Sequence, residues 1–177
     1  WKPEIQRPPT VGNSFTTTFV VLQAIEAFRP PDLGFEIRKR RQAAIDWLLQ
    51  TKSFDTEDMV FRLRSLHLTG EVAFEKEATK LLQAQRKDGG WAQLPQMNSD
   101  AYATGTALAA LIDTETLTIE APEFAAGAAF LLKNQQTDGS WHVRSRVKVK
   151  QPFYNSFFPH EHDQFISVTA SAWATYA

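Results

Sequence analysis

Apolar positions recur along this chain with the period of a helix, seven times over. Phe15, Phe19, Leu22, Ile25 and Phe28 fall on one stripe, while Val20, Val21, Ala24 and Ala27 make the opposite side apolar too, so the first helix is expected to be buried all round. The segment 36–50 differs. Ile37, Ala44, Ile45, Trp47, Leu48 and Leu49 give it one apolar face, and Arg38, Lys39, Arg40, Gln42 and Asp46 a wet one, which places it on the outside. Met59, Leu63 and Leu66 mark a third helix, and Phe74, Ala78, Leu81 and Leu82 a fourth, studded with Glu75, Lys76, Glu77 and Lys80. The uncharged run 101–112 predicts a fifth, buried helix. Pro122 and Glu123 suit the first turn of a sixth, and 165–176 makes a seventh without a charged residue.

Buried and amphipathic helices thus alternate. Helical hairpins stacked side by side into a curved two-layer array produce this pattern, with the apolar helices forming the inner layer. The predicted fold class is all-α. One domain over 13–177 follows a polar, Pro-rich stretch, 1–12, that reads as a linker, so the chain is expected to be one piece of a larger protein. An internal repeat supports the array. Residues 81–91 are echoed 50 positions later by 131–141, with Gln85, Asp88, Gly89 and Trp91 answered by Gln135, Asp138, Gly139 and Trp141. Physically this is a helix ending: the glycines can take the left-handed conformation that stops an outer helix, the glutamines can bond freed backbone groups, and the indoles can cover the junction.

Composition narrows the chemistry. With no cysteine among 177 residues, thiolate nucleophiles, thioesters and Cys-containing zinc sites are excluded. Nineteen basic against twenty acidic side chains leave a formal charge of -1, so no global field draws in nucleic acid, and any anion site must be local. No apolar run approaches the roughly 20 residues needed to span a bilayer, which limits membrane contact to the periphery.

The repeat Gln85...Gly89-Gly90-Trp91 and Gln135...Gly139-Ser140-Trp141 resembles the QW repeats of squalene-hopene cyclases, within the prenyltransferase and squalene oxidase repeat superfamily. The likeness covers roughly 15–177. It implies an α/α toroid with inner helices around a central cavity. Because a complete toroid has about twice the helices counted here, it implies a half-toroid arc, C-terminal in kind, completed by the missing half, a partner or a second copy. Such cyclases protonate an alkene with the middle acid of an Asp-x-Asp-Asp motif. The nearest match here is Asp55-Thr56-Glu57-Asp58, with Glu57 in the donor's place and Phe15, Phe19, Phe61 and Tyr102 as candidate cation-stabilising aromatics. The simpler reading is a helix cap: Asp55 or Thr56 caps, and Glu57 and Asp58 favour the positive end. Protein prenyltransferase activity and a complement-like thioester both need cysteine and fall away. A glycosidase pairing Asp100 with Tyr102 is the weakest fit.

Between Trp141 and Asp163 the pattern changes. His142, Arg144, Arg146, Lys148 and Lys150 alternate with Val143, Ser145, Val147 and Val149, predicting a short β-like excursion within 142–158. Its basic side reads either as charges that blunt an exposed edge or as a cradle in which Arg144 and Arg146 hold a phosphate or carboxylate. His142, His160 and His162 have the right chemistry for ligand contact or zinc, and equally for capping and surface roles. The favoured function is a non-catalytic binding or scaffolding module. It would take a lipid, a terpenoid, an anionic small molecule or a partner chain, with no cofactor required. The alternative is a class II terpene cyclase using Glu57.

Overall fold

A computed structural model describes residues 1, 8–28, 31–147 and 154–177. Among the described residues seven α-helices form, at the places the periodicity predicts: α1 (Ser14–Phe28), α2 (Gly34–Gln50), α3 (Thr56–Thr69), α4 (Phe74–Gln83), α5 (Ala101–Asp113), α6 (Pro122–Asn134) and α7 (Gln164–Tyr176). The protein is all-α. The β-like excursion does not form in its described part, because 142–147 makes its backbone hydrogen bonds to side chains of helix ends rather than to another strand. Residues 148–153 lie outside the described residues.

Helix starts explain the layering. Asn13 Oδ1 accepts from the Phe15 and Thr16 amides (2.7 and 3.0 Å), Asp55 Oδ1 from the Asp58 amide (2.9 Å) and Asp100 Oδ1 from the Ala103 amide (2.9 Å). The starts of α2, α4 and α6 carry no side-chain cap. The capped helices pack on one another in series, α1 on α3 and α3 on α5, and the series continues with α7 on α5. Helices α2, α4 and α6 flank this row, α2 against α1 and α3, α4 against α3, and α6 against α5. Centrally placed α5 is buried on every side from Ala101 to Leu111. Its closest neighbour is α7: a Cβ at Gly105 would lie 2.8 Å from the Ala174 amide nitrogen, so only glycine permits this approach.

The expectation that α1 is buried all round is corrected. Val20, Ala24, Ala27 and Phe28 are exposed, because among the described residues α1 ends the row and only α2 and α3 pack on it. Helix α7 ends the row at the other side and exposes the stripe Phe165, Val168, Ala172 and Tyr176.

The two repeat corners are near-duplicates. Trp91 and Trp141 are 0% and 5% exposed, and their indole N–H groups donate to the Leu81 and Leu131 carbonyls at 2.7 and 2.8 Å. The Gln85 and Gln135 amides donate to the Gly89 and Gly139 carbonyls at 2.9 and 3.0 Å, and Asp88 and Asp138 accept from the Gly90 and Ser140 amides at 3.0 Å each. The glycines do not stop the helices. Helices α4 and α6 already end at Gln83 and Asn134; Gly89 sits six residues on and Gly139 five, each in a turn closed by Arg86 N–H to Gly90 O (2.9 Å) or Gln136 N–H to Ser140 O (2.8 Å). There φ is 85° at Gly89 and 84° at Gly139, the left-handed region that glycine occupies without strain.

Candidate functional site

Polar chemistry gathers where α1, α3 and α5 begin. Glu57, in the first turn of α3, is 3% exposed. One carboxyl oxygen accepts from the Thr16 hydroxyl of α1 at 2.9 Å and the other from the Tyr102 phenol of α5 at 2.8 Å. Tyr102 in turn shares a 2.5 Å hydrogen bond with Thr10 in the turn before α1. Burial pushes the Glu57 carboxyl up to about 7, against the opposing pull of its hydrogen bonds to Tyr102 and Thr16. The acid is therefore half-protonated near neutral pH. Burial and the adjoining Glu57 charge also push the Tyr102 phenol well above its ordinary range, so it stays a neutral donor.

Asp55 and Asp58 are occupied around this acid. Asp55 caps α3, while Asp58 accepts from the Asn13 side-chain amide (2.6 Å) and the Phe54 backbone (2.8 Å). Asp100 caps α5 and accepts from Gln93 Nε2 at 3.0 Å. Burial raises the carboxyls of both Asp55 and Asp100. Of the aromatic candidates, Phe15 packs tilted against Trp47, with centroids 4.7 Å apart, and Phe19 against Phe61 at 5.6 Å.

The two arginines part company. Arg146 folds onto the cluster, donating from Nε to Gln93 Oε1 at 2.8 Å, with its buried Nη2 3.9 Å from Asp55 Oδ2; Arg144 is exposed. Arg146 thus ties 142–147 across the starts of α3 and α5. That segment is also held to α7, by the Val143 amide on Ser167 Oγ (3.1 Å) and the Ser145 amide on Asp163 Oδ1 (2.8 Å).

The histidines assemble next door. His142 and His160 stack with centroids 4.8 Å apart; His142 Nε2 lies 2.8 Å from Asp163 Oδ2, and His160 Nε2 lies 2.8 Å from Ser140 Oγ. Burial would raise Asp163, but the Ser145 amide and His142 outweigh it and hold that carboxyl low. Ser140 sits between Asp138 and His160. Its hydroxyl donates to Asp138 Oδ1 at 2.7 Å and lies 2.8 Å from His160 Nε2. An open hollow of about 460 Å³ borders this group, lined by Phe157, Phe158, His160 and His162 among others. Among the described residues no set of three His, Asp or Glu side chains is arranged to hold a metal ion.

Sequence reasoning found Glu57 and Tyr102 but not their contact, and missed Thr10, Thr16 and Gln93 altogether. It also missed a buried ion pair between Arg62 and Glu77, braced by Ser53 (2.6 Å to Oε1) and by Arg62 Nε on the Leu48 carbonyl (2.8 Å). The only available signal was a charge on the apolar side of each helix. No protein-family model and no curated protein matches this chain. No described helix is long and apolar enough to cross a membrane.

Proposed function

We propose that this chain is a non-catalytic helical-repeat module, an arc of an α/α toroid of the squalene-hopene cyclase kind, that holds a partner chain at the open ends of its helix row. The observation that carries this reading is the state of Glu57. A proton donor must meet its alkene, yet Glu57 is closed off from solvent and both its oxygens are engaged by Thr16 and Tyr102 of its own fold. Its work is to clamp α1, α3 and α5. The uncovered flanks of α1 (Val20, Ala24, Ala27) and α7 (Phe165, Val168, Ala172, Tyr176) supply the binding surface, because a further hairpin would continue on α7 the packing that α7 makes on α5.

One observation favours the class II terpene cyclase alternative: an acid with a value of about 7 can give up a proton near neutral pH. Incubation with squalene and with polyprenyl diphosphates decides between the two. The module reading expects no cyclised product from the wild type. A cyclised product that disappears in Glu57→Gln overturns it.

A further inference from the structure

The two repeat corners share a fold but not their neighbours. At the first, the Gln85 side-chain amide makes two hydrogen bonds, one to the Gly89 carbonyl of its own turn and one, at 2.8 Å, to the Glu123 carbonyl in the first turn of α6. Gly89 lies against the same helix, where a Cβ would come 2.3 Å from the Ala126 carbonyl oxygen. A Cβ on Gly90 would lie 3.0 Å from the Phe130 ring. Glu123, Ala126 and Phe130 stand three and four positions apart, so they share one face of α6. The first corner is thus a seat, and the entry of α6, which carries no side-chain cap of its own, fills it.

The second corner repeats the seat and leaves it bare. Gln135 Nε2 donates to the Gly139 carbonyl at 3.0 Å and, among the described residues, to nothing else. Gln135 and Gly139 are exposed, whereas Gln85 is half-buried and Gly89 buried. A Cβ at Gly139 would meet nothing within 4 Å. Leu132, which repeats the core-packed Leu82, is 71% exposed. An amide N–H, a glycine surface and an apolar side chain are therefore uncovered, among the described residues, at the corner whose earlier copy receives a helix entry.

We infer that the second corner receives the entry of a helix from the partner chain, whose first turn offers a backbone carbonyl to Gln135 Nε2 and, three positions on, an Ala or Gly against Gly139. This inference rests on the module reading and names what the partner brings to it. One difference between the corners constrains the partner further. Ser140 stands where the first corner has Gly90, and its Cβ takes up room that the Phe130 ring uses there. Seven positions after the bonded carbonyl, the partner helix therefore carries a side chain smaller than phenylalanine. The α6 entry of a second copy does not serve, because its own α4 corner already holds it.

The probe is a peptide of residues 119–134 with Phe130→Ala. A lactam bridge between Ala125→Lys and Ala129→Glu, on the exposed face, holds it helical before it binds. Titrated into the isotope-labelled whole chain, it is expected to move the nuclear magnetic resonance signals of the Gln135 side-chain amide and of Gly139, saturating with a dissociation constant of about 1 mM or below. The same peptide with Phe130 retained should bind about fivefold more weakly or worse. Gly139→Asn keeps a left-handed turn that asparagine tolerates but fills the seat, so it should retain the wild-type circular dichroism and weaken binding about tenfold or more. Should that variant unfold, Leu132→Glu, at an exposed position, carries the test with an expected loss of about threefold or more. No shift, shifts at Gln85 and Gly89 instead, or binding unmoved by both variants overturns the inference. So does self-association in sedimentation velocity that Gly139→Asn abolishes, because a second copy would then cover the corner. A cyclised product that Glu57→Gln abolishes sinks the module reading instead, whatever the peptide does.

Discussion

The Tyr102 phenol and the Glu57 carboxyl, 45 residues apart in the chain, meet at 2.8 Å between two helices of the row. Neither group has a solvent shell, so each depends on the other to satisfy its polar atoms. That relationship makes the protein's stability respond to pH.

The carboxyl of Glu57 has a value of about 7 in the fold and 4.5 as its ordinary value. A raised value means the folded state holds the proton more tightly. Its contribution is complete below pH 4.5 and is lost as pH rises through 7, on the order of 3 kcal/mol in all. Urea unfolding at pH 5 and pH 8 should show that decline. Glu57→Gln, which keeps a neutral side chain of the same length, should flatten much of it; the part due to Asp55 and Asp100, which burial raises in the same direction, remains.

Gly89 and Gly139 share a backbone conformation but not a neighbourhood. A Cβ at Gly89 would lie 2.3 Å from the Ala126 carbonyl oxygen, whereas at Gly139 nothing lies within 4 Å. Gly139→Ala should cost only the left-handed penalty, about 1–2 kcal/mol. Gly89→Ala adds a clash with backbone and should cost about 3 kcal/mol or more. Equal denaturation midpoints for the two variants would refute the close contact between the α4 corner and α6.

Glu77 is 1% exposed and holds Arg62, Ser53 and Lys80 together. Glu77→Ala strands the Arg62 guanidinium in a site it cannot leave. Thermal or chemical unfolding should register a loss of about 3–5 kcal/mol.

Arg146 and Arg144 look alike in the sequence and should behave differently. Arg146→Ala removes the bond to Gln93 and uncovers the α3 and α5 starts, with an expected cost of about 1–3 kcal/mol, whereas Arg144→Ala should stay within about 0.5 kcal/mol of wild type. Faster amide exchange over 142–147 in Arg146→Ala would register the same loosening.

The residues by themselves determined the seven helices, their alternation, a cap at Asp55 or Thr56 and the doubled Trp91 and Trp141 corners. All of these rest on local periodicity or on side chains that bond within a few positions, which a linear reading can count. Tertiary structure alone decided that α1 ends the row and stays half bare, that Gly89 turns the chain after its helix has finished, and that 142–147 lies across helix ends instead of pairing as a strand. It also decided that Glu57 finds Thr16 and Tyr102. Each of those outcomes depends on which neighbour occupies a given side of a helix. Burial, and with it the protonation of a carboxyl or the pairing of Arg62 with Glu77, is a property of the neighbours and not of the residue.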